Sequence, residues 1–274
     1  MLKNDIREGS LRKTGYLLLL AAVVVISCTG MDNLIREMIN QGETIGQVSY
    51  ADMLVYLFSG EPEAQDLNVF HLPIYWCVYQ MIIAATVAGF IRADLQNYGT
   101  MKIIYSGSRG RYARSKMVWV GIHTLYCYLF VYGITAVYTA ARGYAMNFHT
   151  NEILWSVTAG MSQPVKTGQI ILLLMVMPVL VTLALTYIQI FGELLYGSAF
   201  GYFCICVILA VSSFWKHPLL PGNYSMTCRS RYMAEGGVSA VAGIVYCLVI
   251  IMMMLSVIMQ SIKRFDVLQE QDVL

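Results

Sequence analysis

The chain has 274 residues, 58% of them hydrophobic and only 12% charged, with a formal net charge of +2. Soluble domains carry about 25% charged residues, so the composition excludes an ordinary water-soluble domain. Several runs reach the roughly 18 apolar residues of a transmembrane helix, and the expected class is an all-α, polytopic membrane protein of one domain, 1–274.

Residues 1–13 hold four basic side chains ahead of the first apolar run, about 15–30. Basic flanks stay on the cytoplasmic side of a bilayer, which places the N-terminus inside. That run lacks a small-residue cleavage site and five further runs follow, so no cleavable signal is expected.

Met31 to Leu72 carries one basic and seven acidic residues, as an external helical insert would. In its first part Met31, Leu34, Ile35 and Met38 share one face and Asp32, Asn33, Arg36, Glu37 and Asn40 the other. In SYADMLVYLFSG, Ser49 and Asp52 have capping-box spacing and Gly60 follows as a stop. Two short helices lying on the outer membrane surface are predicted.

Pro73 opens the second span, about 74–91, which leads into the loop Arg92 to Lys116 with six Lys or Arg against one Asp. Within the loop Leu95, Tyr98, Met101 and Tyr105 recur at helical spacing, and Ser106-Gly107-Ser108 ends the helix. Two readings stand here: a docking helix with an aromatic face, or a basic linker lying on anionic headgroups.

The third span covers about 117–140. From Val165 to Phe214 the chain is apolar for a length that would make a helix of about 75 Å, more than twice the hydrocarbon thickness. It must turn back. Gln189, Gly192 and Glu193 mark the expected turn, giving spans of about 165–188 and 194–214, with Pro178 kinking the first. Glu193 reads as a solvated turn charge or as a contact for a cytoplasmic partner. Gly197 and Gly201 form a GxxxG pair that arises readily by chance in apolar sequence.

The external segment 212–236 carries prolines and aromatics, and span six covers about 237–259. The segment reads equally as an outer gate or as a rigid cap over hydrophobic ends. Twelve basic residues fall inside and six outside, so six spans with both termini cytoplasmic are expected.

The seven cysteines lack CxxC pairing; Cys204 and Cys206 would face different sides of one helix, and all seven read as free thiols. No GxxxxGK[ST], HExxH or GxSxG occurs, so no catalytic residue, cofactor or metal is assigned to this chain. His123, the one histidine in a span, reads as a proton relay or as a hydrogen-bonded packing residue. The spans show neither the charge rows of an ion-coupled pump nor the broken-helix symmetry of secondary carriers.

LPIYW at Leu72 to Trp76, NYGTMKIIYSGSRGRYARSK at Asn97 to Lys116, HPLLPGNYSMTCRS at His217 to Ser230 and KRFDVL at Lys263 to Leu268 together resemble the ABC-2 type membrane subunits of ATP-binding-cassette exporters, clostridial members in particular. The resemblance covers nearly the whole chain. It implies half of a membrane pathway in a bacterial cell membrane, paired with a second permease subunit, identical or homologous. ATP and Mg would sit on a separate ATPase subunit. That ATPase would dock on a coupling face of Leu95, Tyr98, Met101, Lys102, Tyr105, Arg109, Arg111 and Glu193. Trp215, Pro218, Pro221, Asn223, Tyr224 and Arg229 would form an external gate. An antimicrobial peptide or lipid-like cargo follows from family context, and no nucleic-acid partner is expected. The rival readings are a non-transporting membrane immunity or scaffold protein and an intramembrane enzyme; the latter would need polar residues converging at one depth.

Overall fold

The computed structural model describes residues 2–11, 13–62, 72–159 and 165–264. The tail 265–274, the insert residues 63–71 and the stretch 160–164 lie outside the described residues. Among the described residues the chain is all-helical, with no strand beyond two isolated bridges, Ser49–Ala145 and Ser230–Val238. Five helices are long and apolar enough to cross a membrane: Thr14–Asn40, Ile74–Gly99, Arg109–Ala141, Thr167–Tyr196 and Ala240–Arg264. A further apolar helix, Ser198–Phe214, has 17 residues.

A short N-terminal helix, α1 (Leu2–Ile6), runs into a π turn, Arg7–Leu11, and packs on the long helix α6 (Arg109–Ala141). Helix α2 (Thr14–Asn40) is continuous, so Met31–Asn40 extends the first apolar helix rather than lying on the surface. The reason is its stripe. Leu20, Val24, Cys28, Met31, Ile35 and Met38 are all buried at spacings of three and four, one unbroken seam. Gly30 does not stop the helix; it lets the Tyr56 and Tyr75 hydroxyls approach where a Cβ would stand 3.0–3.1 Å from them.

Helix α3 (Tyr50–Phe58) carries the expected capping box between Ser49 and Asp52. It does not lie on a surface. Its side chains are almost all buried among α2, α6 and α4 (Ile74–Val87). Phe58 meets Tyr79 edge-on at 5.3 Å and Tyr132 at 6.4 Å. A helix apolar on every side belongs inside a core.

Helix α4 breaks at Ala88 and Gly89, whose φ of +72° favours glycine, and α5 (Phe90–Ser106) departs from there. Ser108 caps α6, its hydroxyl accepting the Arg111 N–H at 3.2 Å, so that helix starts eight residues before the expected span. At the opposite end of α6 follows α7 (Glu152–Ala159).

Helix α8 (Thr167–Ile171), a π turn at Leu172–Val176 and α9 (Met177–Tyr196) form one rod. Pro178 leaves the Leu174 carbonyl without its helical donor, and the wider π turn sits beside it. The turn back falls at Gly197, φ +106°, rather than at Gln189–Glu193. Helix α10 (Ser198–Phe214) then packs tightly on α9, where a Cβ on Gly201 would lie 2.4 Å from the Glu193 Cγ. After two short 3₁₀ turns, Pro221–Ser225 and Thr227–Arg229, α11 (Ala240–Arg264) closes the bundle. Helix α9 is its centre, touching α4, α6, α10 and α11.

Candidate functional site

One end of the molecule gathers α5, the start of α6, the N-terminal segment and the end of α11. Arg109 donates to the Lys263 carbonyl at 2.7 Å, and Asp5 meets Lys116. Beyond its packed first turns α5 presents an exposed apolar stripe. Tyr98, Met101, Ile104 and Tyr105 are 61–89% exposed. Three of these four belong to the expected coupling face, and Ile104 is the one that periodicity missed. Leu95 is fully buried and holds α5 to the core. Arg109 and Arg111 are exposed beside the stripe, Arg111 donating to the Ser106 carbonyl at 2.8 Å.

Buried charge anchors this helix. The Lys116 ammonium, with no exposed surface, lies 2.8 Å from Asp94 Oδ2 and 2.6 Å from Asp5 Oδ1. Asp94 also accepts the Tyr112 hydroxyl at 2.7 Å and pairs with Lys102. The Lys102 ammonium in turn sits 5.6 Å above the Tyr98 ring, within cation–π range. Phe90 offers its ring to Lys116 at 5.0 Å.

Glu193 is not a solvated turn charge. It is 1% exposed; Oε2 accepts the Gly89 N–H at 3.0 Å and Oε1 accepts Gln189 at 2.8 Å. A carboxylate there answers the partial positive charge at the start of α5. Arg92 donates to the Glu193 carbonyl at 2.8 Å from the other side. Glu193 therefore holds the hinge of α5 and does not stand on the exposed stripe.

His123 is engaged at both nitrogens, 2.9 Å from Ser10 Oγ and 2.7 Å from Thr86 Oγ1. Trp119 donates to the same Ser10 hydroxyl at 3.2 Å, and the Thr86 hydroxyl donates to the Ile83 carbonyl at 2.5 Å. With those protons placed, Nε2 of His123 carries its hydrogen and Nδ1 accepts. The chain of bonds ties the N-terminal segment to α6 and α4. Among the described residues no three His, Cys, Asp or Glu side chains gather to hold a metal.

At the opposite end the expected gate residues divide. Trp215 and Pro218 are exposed, whereas Pro221, Asn223, Tyr224 and Arg229 are buried. Arg229 caps the end of α10 and ties it to the segment that follows α3. It donates to the carbonyls of Ser212, Ser213 and Trp215 at the end of α10, and to the Glu61 carbonyl at 2.6 Å beyond α3. Thr227 and the Cys228 N–H reach the last carbonyls of α3 and Ser59. Cations near C-terminal carbonyls stabilise them.

The same end holds two further clusters that sequence order concealed. Asp32 accepts the hydroxyls of Tyr138 at 2.6 Å and Tyr144 at 2.9 Å and pairs with Arg142. Asp52 accepts N–H groups of Ser49 and Asn151, each at 2.9 Å, and the Trp155 indole at 2.7 Å. Burial pushes the Asp52 carboxyl above the ordinary range against the pull of those donors. An outward recess of about 460 Å³, lined by Tyr56, Tyr75, Trp76 and Ile26 among others, opens beside α3.

Searches of protein-family models, of curated proteins and of solved structures find no match to this chain.

Proposed function

We propose that the chain is the permease subunit of an ATP-driven exporter of the ABC-2 type, and that α5 is the helix on which a separate ATPase subunit docks. The observation that carries this reading is the exposed stripe Tyr98, Met101, Ile104 and Tyr105 on a helix that is hinged at Gly89 and pinned by buried charge. Met101, Ile104 and Tyr105 follow the last residue of the apolar stretch Ile74–Gly99 and Tyr98 stands at its end; large exposed apolar side chains grouped there mark an interaction surface. Their neighbours Lys102, Arg109, Arg111 and Arg114 make that end basic, which supports a cytoplasmic placement.

Six crossings with both termini inside accord with the fold. The N-terminal segment and the end of α11 lie at the same end, which supports an even number of crossings. The 17 residues of α10 extend about 26 Å, near the hydrocarbon thickness. Two such subunits would form one pathway, with ATP and Mg bound by the partner ATPase. On this reading the buried Arg229 segment is a cap over the outer end.

Co-purification of the ATPase with Tyr98→Ala/Met101→Ala tests the assignment. Burial of a large apolar side chain contributes about 1.5–3 kcal/mol, so losing two weakens docking by roughly a hundredfold or more. Both residues are exposed, so membrane yield stays at the wild-type level. Retention of the ATPase at full stoichiometry sinks the docking assignment and returns α5 to a basic linker on headgroups. Absence of any ATPase from the wild-type preparation favours an immunity or scaffold protein.

A further inference from the structure

One chain of charges connects the N-terminal segment to the helix that carries the exposed stripe. Asp5 on α1 meets Lys116 on α6, Lys116 meets Asp94 on α5, and Asp94 meets Lys102 on the same helix. Two carboxylates and two ammonium groups balance. Three of the four are buried and only Lys102 reaches water, at 26% exposure. The segment is otherwise seated by Ser10 on Trp119 and His123, and by Gly9 under the Trp119 ring.

We propose that residues 2–11 act as a positioning element for α5, their seating relayed through Asp5, Lys116 and Asp94 to the presentation of Lys102 and Tyr98. The physics is competition for a buried carboxylate. Buried Lys116 cannot go without a counter-charge. While Asp5 neutralises it, Asp94 is free to hold Lys102 over the Tyr98 ring. Withdraw Asp5, and Lys116 claims Asp94 outright. Lys102 is then the cation that leaves, because it alone of the pair can be hydrated. The exposed face of α5 gains a mobile charge, and Tyr98 loses its cover. Coupling of this kind is reciprocal. Removing Lys102 leaves Asp94 and Asp5 competing for one cation, which loosens residues 2–11. The relay rests on the docking reading only for its consequence, the altered surface offered to a partner.

The test needs no partner, so its outcome is independent of whether an ATPase docks. In the purified full chain, the reactivity of Lys102 toward an amine acylating reagent is compared by mass spectrometry in wild type and Asp5→Asn, with Lys263 as the internal reference. The expected result is a rise at Lys102 of about two- to fivefold, the strength of a part-exposed ion pair. The reciprocal variant, Lys102→Ala, changes a part-exposed side chain and folds even where Asp5→Asn does not. Faster hydrogen exchange over residues 2–11 is expected in it. Unchanged Lys102 reactivity in a folded Asp5→Asn protein, or unchanged exchange over 2–11 in Lys102→Ala, overturns the relay. Asp5 would then serve only to hold its own segment.

Discussion

The hydroxyl of Tyr132 donates to the carbonyl of Leu174 at 2.8 Å, and that carbonyl is the one whose α-helical donor, the N–H four residues on, Pro178 removes. A side chain on α6 thus completes the backbone of the helix beside it. Away from water an unpaired carbonyl is costly, which makes this bond a condition of placing a proline there.

Tyr132→Phe is expected to destabilise the protein by about 0.6–1.7 kcal/mol, the range of interhelical hydrogen bonds in membrane proteins. In a Pro178→Ala background the loss shrinks, because the new N–H can serve Leu174. A double-mutant cycle on thermal unfolding in detergent measures the difference. Equal losses in both backgrounds would show that Tyr132 acts through packing alone.

Arg229 offers a different test, because its planar fork reaches the end of α10 and the Glu61 carbonyl at once. Lysine keeps the charge but presents it at one point. Arg229→Lys therefore abandons either the Glu61 carbonyl or those at the end of α10. Each charge-assisted bond lost costs about 1.5–3 kcal/mol. Cys228, buried next to Arg229, reports the opening: its alkylation by a maleimide speeds up in the variant. An unchanged rate would mean that neighbouring contacts alone keep the cap shut.

Asp52 gives a pH dependence outside the spans. Its folded-state pKa is raised by burial, so the folded protein favours the protonated form more than the unfolded chain does. Its contribution to stability is whole below about pH 3.9, the ordinary aspartate value, and is lost as pH rises through the folded value. The melting temperature of wild type should therefore fall between acid and neutral pH relative to Asp52→Asn. Parallel curves for the two proteins would remove Asp52 from the balance.

Much of the helical plan could be read from composition and period. The long apolar runs, the capping box at Ser49 and Asp52, and the exposed side chains Tyr98, Met101 and Tyr105 were all visible in sequence. The burial of α3 was also legible in principle, since YADMLVYLF is apolar on all sides and no water-facing stripe can be drawn on it. What escaped were relations between distant positions. Glu193 looked like a turn residue because its partner, the Gly89 N–H, is 104 residues away. Asp5 and Lys116 are 111 residues apart, and each alone resembles a solvated charge. Periodicity describes one element at a time, and these contacts exist only once the elements have packed.

The reach of Arg229 has a consequence in time. Its bond to the Glu61 carbonyl spans 168 residues, so the segment after α3 is made long before the side chain that binds it. At synthesis rates of about 5–20 residues per second, that interval lasts roughly 10–30 s. Throughout it the nascent chain lacks the arginine that meets the Glu61 carbonyl, and the carbonyls at the end of α10 await the same side chain once that helix emerges. A chain truncated before Arg229 would lack that tie, which makes the arrival of this arginine the event that joins the end of α10 to the segment after α3.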